Sequence, residues 1–135
     1  MSAFFDTNIL VHAQQAGAKG ARANDLIAEG GVVSVQVLNE LANVLRKKLR
    51  RDWRDVEAVL SDAKAAFTDA LPLTIDTHDA AFALARDHGL SVYDALIVAS
   101  ALEAGCDTLY SEDMQHGRAF GQLTVRNPFL PSSAS

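Results

Sequence analysis

The spacing of apolar and polar positions changes period repeatedly along this chain. Ala3-Phe4-Phe5 is an apolar run of strand length, and a helix-period segment follows it from about Thr7 to Gln15. The stretch Gly17-Ala18-Lys19-Gly20 breaks that pattern before a second helix over about 21–29. Gly30-Gly31 ends it, and Val32-Val33-Ser34 predicts a short strand running into a helix from about Val35 to Arg50. The buried stripe of that helix is Val37, Leu38, Leu41, Val44, Leu45 and Leu49. Asp52 is the expected N-cap of a further helix, with Val56, Val59, Leu60, Ala63 and Phe67 on its apolar face. Pro72 resets the chain; Leu71 to Ile75 is strand-like, and Asp76 or Thr77 is expected to cap a helix that Gly89 ends after His88. Ala95 to Ala104 is apolar almost all round, which predicts a helix buried against a sheet, opened by Asp94 and stopped by Gly105. Thr108-Leu109-Tyr110 and Leu123-Thr124-Val125 are the last predicted strands.

Strands that alternate with helices in this way predict an α/β domain with a mainly parallel sheet. The length of 135 residues and an apolar fraction of 49% fit one core, so a single domain is expected over residues 1–130, with Pro131 to Ser135 a frayed tail. The amino terminus lacks the basic region of a signal peptide, and no apolar run approaches the roughly 20 residues that span a bilayer. No membrane association is expected. Cys106, alone, excludes an intramolecular disulfide framework and points to the reducing cytoplasm.

Charge changes the picture in one place. The net charge of −5 argues mildly against a protein that grips nucleic acid by neutralising phosphates, but residues 46–54 carry +5 and the remainder −10. Arg46, Lys47, Arg50, Arg51 and Arg54 in that strip are candidate RNA contacts, since exposed charges act over about one Debye length, roughly 8 Å. The competing role is a solvated helix end whose cations favour the C-terminal dipole, and both can hold at once. Trp53 is a candidate for base stacking or, equally, for packing at a helix junction.

Ligands of open α/β sheets sit beyond the carboxyl ends of the strands, so acids at that edge are the candidates for chemistry. Asp6 follows the first strand, and Asp113 follows Thr108-Leu109-Tyr110 after Ser111-Glu112. Asp94 opens the buried helix, and Glu40 borders the apolar stripe beside Val37 and Val44, about a turn and a half into its helix. Each has a plainer role when taken singly: Asp6 and Asp94 as N-caps, Glu40 as a solvated helix residue, Asp113 as a loop acid. Together, converging carboxylates repel and take up protons unless a cation neutralises them. Mg²⁺ and Mn²⁺ prefer such oxygen ligands and keep several waters, which suits metal-assisted hydrolysis of a phosphodiester by one ion, or by two about 4 Å apart.

Phe5-Asp6-Thr7-Asn8-Ile9-Leu10, Val37-Leu38-Asn39-Glu40-Leu41, the run Tyr93 to Ala101 beginning Tyr93-Asp94-Ala95, and Leu109-Tyr110-Ser111-Glu112-Asp113-Met114 occur in the order and spacing of the PIN domain. From Phe4 to about Phe129 the chain resembles that family, and in particular the VapC-type toxins of bacterial toxin–antitoxin pairs. The resemblance implies a three-layer α/β/α domain with a central, mainly parallel sheet of four to five strands. It implies a Mg²⁺ or Mn²⁺ site formed by Asp6, Glu40, Asp94 and Asp113, with Asn8 and Ser111 as supporting polar residues. It further implies cleavage of RNA by a metal-activated water, leaving 5′-phosphate and 3′-hydroxyl ends, homodimerisation, and inhibition by a small antitoxin whose tail enters the groove.

His12, His78, His88 and His116 have no paired metal-ligand spacing, so surface or packing roles are expected for all four, and Cys106 is expected to be a small buried apolar residue. Three other readings stay open. A non-enzymatic partner-binding module would keep the acids for structure alone, and metal binding discriminates it. A small phosphatase or phospho-accepting receiver needs a second acid close to the nucleophilic Asp and a Lys at a late strand end, whereas Asp6-Thr7-Asn8 carries Asn at that position. A nuclease that processes RNA outside any toxin pair shares the chemistry and differs in biology.

Overall fold

The structure, a computed structural model, describes residues 2–67 and 70–131. Residues 132–135, most of the expected tail, lie outside that range. Four strands and six helices follow in the order β1 (Ala3–Phe5), α1 (Thr7–Ala13), α2 (Ala18–Ala28), α3 (Val35–Lys47), α4 (Trp53–Ala66), α5 (Ile75–His88), α6 (Val92–Glu103), β2 (Thr108–Tyr110), β3 (Ala119–Phe120) and β4 (Leu123–Arg126). The sheet order is β1-β2-β4-β3. β1 pairs with β2 and β2 with β4 in parallel, Phe5 opposite Tyr110 and Tyr110 opposite Arg126, while β3 is antiparallel to β4. This is the expected α/β architecture with a mainly parallel sheet.

The predicted strands over 32–34 and 71–75 are reduced to isolated parallel bridges, Phe4 to Val32 and Ser34 to Leu71. The pairing is short because helices begin at once on either side. Val35 opens α3 behind the Ser34 N-cap, and Ile75 opens α5 behind Thr74, which forms a capping box with Thr77. Thr74, rather than Asp76 or Thr77, is therefore the cap. Gly31 lets the first bridge form: a Cβ there would meet the Phe5 ring at 2.3 Å, so any other residue pushes Val32 away from β1. The strand β3 was not expected; two residues between Gly117 and Gly121 are too few to show a period.

Phe4, Phe5, Ile9, Leu41, Leu45, Ile97, Leu109 and Leu123 are fully buried, and with their neighbours they join β1, β2 and β4 to α1, α3 and α6. Phe5 stacks in tilted contact with Phe67 and Tyr110, each at 5.5 Å between ring centroids. Cys106 is buried among them as expected. The helix α6 buries Ala95, Ile97, Val98, Ala99, Ser100 and Ala101, matching its all-round apolar sequence. Among the described residues no helix is long and apolar enough to cross a membrane.

The packing aligns the carboxyl ends of β1 and β2. The Asp6 N–H donates to the Tyr110 carbonyl at 2.9 Å, and the Ser111 N–H to the Arg126 carbonyl at 3.1 Å. The chain leaves both strands at one level, and the cleft lies there.

Candidate active site

Asp6 ends β1 and N-caps α1, its Oδ1 accepting from the Thr7 N–H at 2.7 Å. The capping role and the cleft role thus coincide in one side chain. Its Oδ2 accepts from Ser111 Oγ at 2.8 Å and from Asn8 Nδ2 at 3.3 Å. Asp6 is buried, 5% exposed, and Ser111 is wholly buried. Asn8, in the first turn of α1, spans the site: Nδ2 also donates to Asp113 Oδ2 at 3.2 Å, and Oδ1 accepts from the Glu112 N–H at 3.0 Å. Asn8 and Ser111, the two polar residues expected near the site, thus both hydrogen-bond to Asp6.

Glu40, half-buried on α3, accepts at Oε1 from Thr7 Oγ1 at 3.3 Å. Asp94 lies in the first turn of α6 but is not its cap. Ser91 is, accepting at Oγ from the Asp94 N–H at 3.1 Å. That leaves the Asp94 carboxylate free of the capping task and half-buried at the cleft wall. Asp113 is exposed, on the loop after β2.

All four acids line one cleft of about 600 Å³, together with Thr7, Asn8, His12, Gln36, Asn39, Asn43 and Lys48. Their charges are coupled. Burial, first, and the neighbouring carboxylates push Asp6 up to about 6; burial and then Asp6, Asp94 and Asp113 push Glu40 up to about 7. Burial and Asp113 raise Asp94 as well. Hydrogen bonds from Ser111 and Thr7 oppose the rise at Asp6, as the Thr7 hydroxyl does at Glu40. Among the described residues no Lys, Arg or His forms an ion pair with any of the four.

The donors facing the cleft are oxygens, the set that hard divalent cations favour. No three His, Cys, Asp or Glu side chains among the described residues are gathered tightly enough to hold an ion by themselves. Mg²⁺ and Mn²⁺ retain several waters and so need fewer protein oxygens than a metal held in a closed cage. By chemistry and charge the residues fit the ion.

A family model described as the PIN domain matches residues 3–119. The chain belongs to the PIN domain family. Similar solved structures include Mycobacterium tuberculosis VapC20, described as a sarcin–ricin loop cleaving toxin, with a TM-score of 0.70 at 24% identity over 83% of this chain and 90% of that one. A chain of a toxin–antitoxin complex from Klebsiella pneumoniae has a TM-score of 0.70 at 22% identity, covering 95% and 98%. VapBC2 from Rickettsia felis, solved with a DNA fragment from its promoter, has a TM-score of 0.67 at 18% identity, covering 94% and 98%. At these identities the likeness is one of fold. A sequence search of curated proteins returns no match.

The basic strip of this PIN domain is divided in its contacts. Arg46 and Lys47 occupy the last turn of α3, where cations complement the dipole. Arg46 also donates to the Arg51 carbonyl at 3.0 Å and lies over the Trp53 ring, 4.8 Å from its centroid; Arg51 donates to the Gln14 carbonyl at 3.1 Å. Arg50 and Arg54 make no side-chain hydrogen bond among the described residues, and none of the five expected RNA contacts lines the cleft. Lys48, within the strip but not among those five, does.

His12 packs edge-on against Phe129, in keeping with the expected packing role, and it also lines the cleft, where its Nε2 meets Glu112 Oε1 at 2.7 Å. No local pattern signals a contact made across 100 positions of sequence. His88 packs edge-on against Phe120 as expected, and His116 Nδ1 accepts from the Asn127 N–H.

Proposed function

We propose that this PIN domain is a Mg²⁺- or Mn²⁺-dependent endoribonuclease, the toxin of a type II toxin–antitoxin pair. One observation carries the reading: four carboxylates from four separate segments face one cleft, burial and then neighbouring acids raise the carboxyls of Asp6, Glu40 and Asp94, and all four are paired with no protein cation among the described residues. Asp6, Glu40, Asp94 and Asp113 would hold the ion, and a divalent cation there supplies a water acidic enough to attack a phosphodiester at neutral pH. Ser111 and Asn8 orient the Asp6 carboxylate, and Thr7 Oγ1 orients that of Glu40.

The opposite wall receives the RNA. Gln36, Asn39 and Asn43 present amides from one face of α3, and Lys48 adds a charge at its end. Amides hydrogen-bond base edges and Lys meets a phosphate, so a single-stranded or splayed segment fits this wall better than a stacked duplex. Arg50 and Arg54, outside the cleft, extend the attraction.

Partner and assembly follow the same reading. A small antitoxin places an acid-binding tail in the cleft, and a second copy of the chain covers Ile75, Phe82 and Tyr93, which are 76%, 58% and 65% exposed around α5 and the start of α6. A buried lone thiol suits a cytoplasmic protein.

The test is cleavage of labelled structured RNAs, a sarcin–ricin loop hairpin among them, with Mn²⁺, with EDTA, and by Asp6→Asn and Asp94→Asn. Cutting that needs metal and falls at least 100-fold in both variants is the expected result. A wild type that neither cuts any RNA nor binds Mn²⁺ in calorimetry leaves the acids structural and the domain a binding module.

A further inference from the structure

One acid beside the cleft is treated unlike the other four. Glu112 immediately precedes Asp113, yet it does not line the cleft, and it takes two basic side chains to itself. Its Oε1 meets His12 Nε2 on α1 at 2.7 Å, and its Oε2 accepts from Lys19 Nζ on α2 at 2.5 Å. Those contacts hold its carboxyl below the usual range, Lys19 first. Phe129 backs both partners: its ring meets His12 edge-on at 4.9 Å between centroids, and Lys19 Nζ lies 5.4 Å from its centre. The Glu112 N–H is bound in turn by Asn8 Oδ1, whose own amide group touches Asp6 and Asp113.

We infer that Glu112, clamped by His12 and Lys19, is a positioning residue that fixes the Asp113 loop at the mouth of the cleft. Asp113 is the only exposed member of the four acids and, among the described residues, it accepts a side-chain hydrogen bond from Asn8 alone. An exposed loop acid without further tethers samples many rotamers and backbone positions, and ordering it by a ligand consumes part of the binding free energy. The neighbouring residue supplies the tether instead. Its side chain reaches two helices, through His12 on α1 and Lys19 on α2, and its charge is matched by Lys19. Outer partners of this kind typically change metal affinity 10- to 100-fold when removed.

The metal arm of the test rests on the nuclease reading, and the other arm does not. In the metal-free protein, Glu112→Ala should speed hydrogen exchange of the 112–114 amides about tenfold, since hydrogen bonds to charged groups are among the stronger tethers of a loop. Mn²⁺ affinity, measured by calorimetry, should fall about tenfold in Glu112→Ala. In an Asp113→Asn background the same change should add nothing, because the clamp acts through Asp113. Lys19→Met repeats both arms with a surface change if Glu112→Ala folds poorly. Unchanged exchange overturns the clamp. Faster exchange with unchanged Mn²⁺ affinity, or an equal loss in the Asp113→Asn background, overturns its positioning role. A wild type that binds no Mn²⁺ removes the nuclease reading and leaves exchange to decide whether Glu112 fixes the loop.

Discussion

The two walls of the cleft are built by opposite rules. On the β1–α1–β2 side, Asp6 and Ser111 are buried, and Asp6, Asn8, Ser111 and Glu112 are joined by hydrogen bonds that cross about a hundred positions of sequence. On the α3 side, Gln36, Asn39 and Asn43 line the same cleft without a side-chain hydrogen bond to protein among the described residues. One wall is preorganised by folding, and its members cannot be changed singly without orphaning a buried partner. The other is a solvated helix face whose amides can be changed without orphaning a protein partner among the described residues. Fixed oxygens and unpartnered amides thus face one another across the cleft, and Glu40, held by Thr7, is the one acid that α3 contributes to the fixed set.

The largest effect expected from breaking this contrast is on the fixed wall. Ser111→Ala removes the 2.8 Å bond to Asp6 Oδ2 and the acceptor for the Met114 N–H. Taking the nearer of its two Oδ2 donors from a buried carboxylate should cost about 2–3 kcal/mol in chemical denaturation. It should also raise the Asp6 carboxyl further, since the Ser111 hydrogen bond is the strongest influence lowering it. Asn43→Ala, on the open wall, should change stability by less than about 0.5 kcal/mol and weaken RNA binding alone. Equal stability losses in the two variants would erase the distinction between the walls.

A second, smaller effect comes from charge. The Glu40 carboxyl lies at about 7 in the folded protein against an ordinary 4.5, so the folded state holds this proton more tightly than the unfolded state does. The stability this contributes is complete below pH 4.5 and is lost as pH rises through 7. Metal-free Glu40→Gln should therefore match the wild type at pH 4 and exceed it at pH 8 by about 1 kcal/mol, once solvent screening of this half-exposed group is allowed for. Saturating Mn²⁺ should reverse the order at pH 8, because the ion stabilises whichever protein binds it better. A wild type that is the more stable at pH 8 without metal would show that burial and the neighbouring acids do not raise the Glu40 carboxyl.

Much of the fixed wall was legible in the sequence, because its parts coincide with local punctuation. Asp6 stands where a strand becomes a helix, Asp113 just beyond a strand, and Glu40 at the border of an apolar stripe; Asn8 and Ser111 sit within the same short motifs. What was not legible depended on partners distant in sequence. Val32 and Leu71 lie in strand-like runs but pair only as bridges, since Ser34 and Thr74 start helices immediately after them. Asp94 looks like a cap until Ser91 is seen to fill that role. Glu112 looks like a loop acid, and His12 like a spare helix residue, until the chain brings them to 2.7 Å.

Arg50 supplies the smallest and most discriminating test, because backbone and side chain pull in opposite directions there. It follows α3 with φ 53°, the left-handed conformation in which a helix end most often carries Gly, and it alone among described non-glycine residues has positive φ. An L-residue in that region costs about 1 kcal/mol relative to Gly. The Arg50 side chain makes no hydrogen bond or ion pair among the described residues that offsets this, unlike Arg51, which holds the Gln14 carbonyl. Stability alone would favour Gly, so retention of Arg is accounted for if its charge is used on a polyanion. Arg50→Gly should raise stability by about 0.5–1 kcal/mol. It should also lower the slope of log K against log salt for RNA binding by about one phosphate contact. A stabilised variant with an unchanged salt slope would separate the strip from RNA binding and leave its cations to the α3 dipole and to the packing of Arg46 on Trp53.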